Sequence, residues 1–244
     1  MSKISLLMTM HMLIGSIVVL SGAMALLLSK GSVQHKLAGR FFVGSIVLMG
    51  PIVIAGAWFS PGSISSLGII FLFFMIYLVA SAWFTVYRSG TRIGFMDMLA
   101  PIAALCISIV FLVMGYEAVS NPSGAEGLPP NEAYFFFSAL AFIAMLLDAN
   151  NLRSLGVRGK HRIARHAWRM SCALFFATAS LFTGPGAIVF PESMRGNFLL
   201  SVPQILVVTI SAFLIYRLLF LKQRFLSKNK TLTQQYDNSN NVKN

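Results

Sequence analysis

Seven long apolar runs constrain the fold of this chain more than any other feature of its sequence. A helix needs about 20 apolar residues to cross the hydrocarbon of a bilayer. The runs cover residues 4–28, 41–59, 67–87, 98–116, 133–149, 168–189 and 199–221. Transmembrane β-strands are only about ten residues long and alternate strictly between apolar and polar residues, a pattern that these runs lack. The sequence therefore predicts an all-α, polytopic membrane protein with seven transmembrane helices.

The composition supports this class of protein. Hydrophobic residues make up 57% of the chain and charged residues only 11%, whereas a soluble domain carries about 25% charged residues. We assign residues 1–222 to the transmembrane domain. Residues 223–244 form a polar, basic tail that has little apolar surface to bury and is predicted to be disordered.

Helix breakers and a possible leader affect where the spans begin and end. Pro51, Pro101 and the Gly184-Pro185-Gly186 segment lie inside the runs. Neighbouring helices can satisfy the backbone groups that such residues free, so we expect kinks there and not helix boundaries. The first run is long for the apolar part of a signal peptide and is followed by further spans, so we treat it as a helix.

The basic residues predict the orientation. All of the 19 Lys and Arg residues except Lys3 and Arg195 lie after the first, third and fifth runs or in the C-terminal part. Loops rich in Lys and Arg remain in the cytoplasm. We therefore predict a multi-pass protein of the inner (plasma) membrane, with the N-terminus outside and the C-terminus cytoplasmic. The net charge of +12 then indicates contact with anionic lipid headgroups, and we do not expect nucleic acid binding.

Three of the four histidines, His35, His161 and His166, lie near the predicted cytoplasmic surface. Imidazoles in a membrane can ligate haem or a metal, relay protons or form hydrogen bonds between helices. His35 and His166 precede the second and sixth runs, and they could ligate haem b from two sides if these helices meet. His161 and His166 are about 140° apart around a helix and do not share a face. The alternative is that all three contact backbone carbonyls or lipid headgroups.

His11 lies within the first run and has no histidine partner at its depth. A polar group in hydrocarbon is costly without a partner. We expect either a hydrogen bond between helices or a role in an outward-facing cavity. A second haem in that leaflet lacks ligands, and no metal site is predicted. Cys106 and Cys172 lie in apolar runs, where they are most simply small apolar residues.

Two acidic residues lie near the predicted inner surface. Asp97 precedes the fourth run, where a carboxylate suits a helix N-terminus. Asp148 ends the fifth run, and a carboxylate at a helix C-terminus is unfavourable unless it is paired. We predict an ion pair between Asp148 and Arg162, Arg165 or Arg169, with a proton-handling role as the alternative. The basic segment around these arginines either orients the protein and contacts lipid or forms an anionic-headgroup site.

Two stretches carry a resemblance to a known family. The first joins residues 11–16 (HMLIGS) with residues 30–39 (KGSVQHKLAG), and the second joins Asp148 with residues 162–175 (RIARHAWRMSCALF). Together they resemble bacterial multi-pass membrane proteins of the domain of unknown function 2306-like family, over most of residues 8–222. The Lys-Gly-x-x-x-His pattern is also similar, more distantly, to b-type cytochrome membrane families. The first resemblance implies a membrane protein and no particular reaction.

Three classes of function remain open. The first is a haem-b electron-transfer or haem-handling protein with His35 and His166 as ligands. The second is a transporter or binding protein for a small molecule or lipid headgroup, using the basic inner surface and Asp148. The third is a non-catalytic accessory subunit. The sequence contains no nucleotide-binding loop and no HExxH metalloprotease motif, so it indicates no class of enzyme.

Overall fold

The described part of the chain is entirely helical. The computed structural model describes residues 3–59, 66–87, 93–121, 131–156 and 158–221, which excludes the predicted tail. The seven α-helices are α1 (Lys3–Leu27), α2 (Val33–Phe59), α3 (Ser66–Tyr87), α4 (Phe95–Ser120), α5 (Asn131–Arg153), α6 (Gly159–Phe182) and α7 (Val202–Tyr216). Three 3-10 turns, Pro185–Val189, Glu192–Met194 and Phe198–Ser201, join α6 to α7. The π-helical segment Arg217–Leu221 continues α7.

Six helical segments are long and apolar enough to cross a membrane. They are Thr9–Leu27, Val33–Phe59, Ser66–Tyr87, Phe95–Ser120, Asn131–Arg153 and Phe198–Phe220. The predicted all-α, polytopic class is confirmed on this evidence. α6 is not among these segments. Four cations lie in its first half, and this half is therefore too polar to be identified as a span by composition. Two of them, Arg165 and Arg169, are buried inside the bundle.

Two helices begin more than two turns earlier than their apolar runs. α2 begins at Val33 and not at residue 41, and α6 begins at Gly159 and not at residue 168. Both apolar runs start beside the last cation of the preceding basic connection, Arg40 or Arg169, but basic side chains do not prevent helix formation. Much of each basic connection is therefore helical. Pro51 and Pro101 lie inside α2 and α4, as predicted.

The Gly184-Pro185-Gly186 segment ends α6, so the prediction of a kink was wrong. The amides of Thr183 and Gly184 both donate to the carbonyl of Ala179, which closes the last turn. Pro185 has no amide hydrogen with which to continue the helix. A side chain at Gly186 would come 2.8 Å from Leu181 Cα. The chain therefore turns back tightly against the end of α6.

α6 is the central helix of the bundle and packs against α1, α3 and α7. α1 passes close to both α2 and α6 at Gly22, where a methyl group would come 2.6 Å from Leu174 Cδ1 and 2.8 Å from the ring of Phe42. The aromatic core lies between α3, α4, α5 and α6. Its fully buried members include Phe74 and Phe111.

α4 and α5 pack closely against each other through small residues. Ala104, Ala141 and Ala144 are fully buried there. Ser108 and Ser138 bond reciprocally: each hydroxyl donates to the other residue's carbonyl at 2.9 Å. Small residues allow helices to approach closely in lipid, and serine bonds then join them.

Candidate functional site at the basic end

The ends of α1, α3, α5 and α7 meet the starts of α2, α4 and α6, as the contacts described below demonstrate. We call this part of the bundle the basic end, because its described residues include the cations Lys30, Lys36, Arg40 and those of residues 153–169. The polar side chains of the basic end fall into two groups. One is a buried ion cluster, and the other caps helix termini.

Asp148 is the centre of the buried cluster. The side chain is fully buried on α5. Its Oδ1 accepts hydrogen bonds from Arg165 Nη2 at 2.8 Å and from Arg169 Nη2. Its Oδ2 accepts a hydrogen bond from the hydroxyl of Tyr77 at 2.6 Å. The structure thus contains the expected ion pair, formed by Arg165 and Arg169, whereas Arg162 turns to α3.

Asp97 joins the same cluster from the start of α4. Its Oδ2 accepts a hydrogen bond from the amide of Gly94 at 3.1 Å, which satisfies a free donor at the helix N-terminus. Its Oδ1 lies 3.5 Å from Arg165 Nη1. Arg165 therefore bridges the carboxylates of α4 and α5. Two guanidinium groups face two carboxylates, so the formal charges of the cluster cancel.

Arg169 is held by aromatic rings as well as by Asp148. It is fully buried, and its guanidinium carbon lies 5.4 Å from the ring centroid of Tyr77 and 5.2 Å from that of Trp168. Its Nε and Nη1 have no hydrogen-bond acceptor among the described residues. The negative faces of aromatic rings attract such a cation. The cluster is an internal ion pair that fastens α3, α4 and α5 to α6.

At the end of α1, Lys30 and His35 bind the last carbonyls. Lys30 Nζ donates to Ala25 O at 3.0 Å and to Leu26 O. His35 Nδ1 lies 2.9 Å from Ala25 O. The last four carbonyls of a helix lack partners within the helix and carry its negative dipole end. Basic groups at this position satisfy both requirements.

α6 supplies the same capping to α3 and to the segment after α7. Arg162 donates through Nε to Thr85 O at 2.6 Å and through Nη2 to Val86 O at 3.0 Å. His166 Nδ1 lies 3.1 Å from Ala82 O. Lys160 Nζ donates to Leu219 O at 3.2 Å. The first two turns of α6 thus tie together the ends of two other helical segments.

The carbonyl contacts define the tautomers of His35 and His166. A carbonyl oxygen can only accept, so Nδ1 of each ring must carry the hydrogen. In the neutral imidazole, Nε2 then carries a lone pair. His35 and Lys30 both lie near His166 in the fold. The two rings therefore contact carbonyls, the alternative expected from the sequence, and each leaves Nε2 as the atom for a ligand.

The other two histidines, His11 and His161, are not among these capping residues. His161 is exposed on α6. His11 is half-buried on α1 and lines a cavity in the opposite half of the bundle. The described residues contain no group of three His, Cys, Asp or Glu side chains that could hold a metal ion. Cys106 and Cys172 are free thiols.

Sequence reasoning missed Tyr77, the capping contacts of Arg162 and the bridge from Arg165 to Asp97. Tyr77 lies in an uninterrupted apolar run and carries no local signal of a polar contact. Comparison with known proteins matches this chain to no protein family, no curated protein and no solved structure. The resemblance to the domain of unknown function 2306-like family therefore stays a prediction from the motifs.

Proposed function

We propose that the protein spans the inner (plasma) membrane seven times, with α6 as the central span, and that it binds haem b for electron transfer. The N-terminus lies outside and the basic end faces the cytoplasm, in accordance with the positive-inside rule. α6 has 24 residues, about 36 Å at 1.5 Å per residue, enough to cross the hydrocarbon. Its buried arginines are paired, which removes the main objection to placing them in a membrane.

The available Nε2 atoms of His35 and His166 are the observation that carries the haem proposal. In most metal-binding histidines, the other ring nitrogen donates to a carbonyl or carboxylate, which fixes the tautomer and the ring orientation. His35 and His166 both have this arrangement, through Ala25 O and Ala82 O. Each ring is thereby held with a lone pair available for iron.

The depth of the two rings supports the same site. Phe42 and Leu174 both lie against Gly22 of α1 and define one level of the bundle. His35 and His166 precede Phe42 and Leu174 by about two helical turns each. Both rings therefore lie at a similar distance from that level. α2 and α6 each pack against α1 and not substantially against each other, so the two rings would have to approach each other past the end of α1. A bis-imidazole haem site needs ligands from different helices at one depth.

The residues of this chain would divide the work of holding haem. His35 and His166 would hold the haem iron through their Nε2 atoms, since Nδ1 of each ring is engaged by a backbone carbonyl. Lys30, which lies near His166, would be the cation closest to the haem propionates. The haem itself supplies one-electron chemistry when bound.

The experiment is a reduced-minus-oxidised absorption spectrum of the protein purified from haem-replete cells. We expect Soret and α bands in the wild type and their loss in His35→Ala and in His166→Ala. His161→Ala is the matched control, because His161 is an exposed histidine of the same helix. Absence of the bands in the wild type, or their persistence in both variants, would contradict the haem proposal.

Fusions at the C-terminus test the orientation separately. A fluorescent protein should be fluorescent there, because the C-terminus is cytoplasmic, and alkaline phosphatase should be inactive. The opposite pair of results would overturn the topology and leave the haem measurement unaffected.

A second candidate function is binding of a lipid headgroup or other small anion at the basic end. Lys36, Arg40 and His161 favour it, because they are exposed there and form no ion pair within the described residues. If no haem is present, Lys36→Gln with Arg40→Gln should weaken binding to vesicles containing anionic lipid. Equal binding by this variant and the wild type would exclude this candidate.

A further inference from the structure

A cavity of about 130 Å³ lies in the half of the bundle opposite the basic end. Residues of α1, α2, α3 and α6 line it, together with Gly186. His11 stands in its wall, about 24 Å along α1 from the end of that helix at Leu27, at 1.5 Å per residue. The cavity is therefore separate from the ion cluster and from His35 and His166.

Half of the lining residues are phenylalanine, methionine or glycine, and most of the others are aliphatic. Phe71 and Phe176 meet edge to face at 5.6 Å between ring centroids. Sulfur contacts aromatic rings favourably, and the flexible methionine side chain adapts to a guest. The remaining members of this type are Met12, Met49, Met75, Gly15, Gly68 and Gly186.

Two polar side chains reach this apolar space without a hydrogen bond. They are the imidazole of His11 and the hydroxyl of Ser180, neither of which has a partner among the described residues. Some other serines of the helices bond to a carbonyl of their own helix, whereas the buried Ser211 hydroxyl also has no partner among the described residues. Ser16 donates to Met12 O at 2.9 Å and Ser81 to Tyr77 O at 2.6 Å, each within its own helix. Ser180 and His11 thus keep their hydrogen-bonding capacity for something else.

We propose that this cavity binds one aromatic ring that carries a phenol or quinone oxygen, with His11 and Ser180 as hydrogen-bond partners. An apolar cavity of about 150 Å³ in another protein accepts benzene, so the volume suits a single ring. Phenylalanine edges and methionine sulfur fit an aromatic guest. A lipid acyl chain would leave both polar groups unsatisfied, and water would gain nothing from the aromatic lining.

Fluorine NMR titration in detergent tests the site without using any haem signal. The probes are 4-fluorophenol and fluorobenzene, which share the ring and differ in the hydroxyl. We expect 4-fluorophenol to bind saturably and more tightly than fluorobenzene. His11→Leu should weaken 4-fluorophenol binding about three- to tenfold, the effect of one hydrogen bond, and should leave fluorobenzene unchanged. Ser180→Ala should act in the same direction.

A paired glycine substitution locates the binding. Gly15 lines the cavity, and its nearest neighbour for an added carbon is Met49 Cε at 3.9 Å, so Gly15→Leu should fill the space and abolish binding of both probes. Gly44→Leu is the control, because an added carbon at Gly44 meets nothing within 4 Å. The thermal unfolding of both variants shows whether they are folded, and His11→Leu provides the test if Gly15→Leu is not.

Three results would overturn the proposal. Equal affinity for 4-fluorophenol and fluorobenzene would remove the role of the oxygen. Unchanged 4-fluorophenol binding in His11→Leu would remove the role of the imidazole. Equal binding by folded Gly15→Leu and Gly44→Leu would place the probe outside the cavity. Competition with 2,6-dimethyl-1,4-benzoquinone then distinguishes the two forms of the ligand: displacement indicates a quinone, and its absence indicates a phenol.

Discussion

The buried cluster around Asp148 and the cavity beside His11 differ in whether their polar side chains have hydrogen-bond partners. In the cluster, one carboxylate accepts from Tyr77, Arg165 and Arg169. In the cavity, His11 and Ser180 belong to the lining and have no hydrogen-bond partner among the described residues. Both regions lie against α6, in a bundle whose six other helices include candidate spans.

This difference indicates which polar groups stabilise the bundle. A buried charge without a partner is far more costly than a half-buried neutral imidazole. The cluster should therefore be sensitive to every substitution, whereas substitutions at the cavity should affect ligand binding more than stability. Thermal unfolding in detergent tests this contrast with substitutions at Asp148, Tyr77 and His11, and a substitution at Gly22 tests the packing of α1 against α2 and α6.

Asp148→Asn should have the largest effect. It leaves Arg165 and Arg169 buried without their common counter-charge, and breaking a buried ion pair costs about 3–5 kcal/mol. Asp148→Asn combined with Arg169→Gln should recover part of this loss, because one unpaired charge is also removed. A thermal unfolding midpoint of Asp148→Asn equal to that of the wild type would contradict the structural role of the cluster.

Tyr77→Phe should have the next largest effect. It removes the hydroxyl that donates to Asp148 but keeps the ring beside Arg169. A hydrogen bond to a charged group contributes about 1.5–3 kcal/mol. Tyr134→Phe is the control, since the Tyr134 hydroxyl makes no hydrogen bond among the described residues. Equal destabilisation by the two substitutions would show that the bond to Asp148 contributes nothing.

Gly22→Ala should destabilise the packing of α1 against both neighbouring helices. The added methyl group would come within 2.8 Å of Leu174 and Phe42, and overpacking of this kind costs about 1–3 kcal/mol. Gly39→Ala, where the methyl group meets nothing within 4 Å, should be neutral. If Gly22→Ala is also neutral, α1 does not pass as closely between α2 and α6 as described.

His11→Leu should change stability least, by no more than about 0.5 kcal/mol, because no bond within the described residues is lost. Ser138→Ala provides the comparison. It removes a buried hydroxyl that bonds to α4 and should cost about 0.5–1.5 kcal/mol. A larger loss in His11→Leu than in Ser138→Ala would mean that His11 holds helices together and would end the contrast between the two regions.

The helical class could be predicted from the sequence because each apolar run is long enough to identify a helix without information from the rest of the chain. The helix starts could not, since Lys36 and His166 lie in helical turns that a search for apolar runs leaves out. The end of α6 could have been predicted: Pro185 lacks an amide hydrogen, and α6 had no need to be longer once it began at Gly159.

The candidate site was only partly accessible from the sequence. The pairing of Asp148 followed from helix electrostatics, because a carboxylate at a helix C-terminus needs a cation and the next segment is basic. The participation of Tyr77 and Asp97 depends on which helices are neighbours, and periodicity contains no information about helix order. For the same reason, the carbonyl partners of His35 and His166 could be named only as a type of contact.

The reciprocal bonds between Ser108 and Ser138 bear on how the chain is made. A hairpin of α4 and α5 that satisfies these two hydroxyls itself leaves only Asp97 and Asp148 as carboxylates that await the arginines of a later helix. Synthesis proceeds from the N-terminus, so Tyr77, Asp97 and Asp148 are all in place before α6 is translated. If α6 spans the membrane as proposed, its arginines would meet counter-charges that are already assembled, and the order of the helices along the gene would lower the barrier to inserting them.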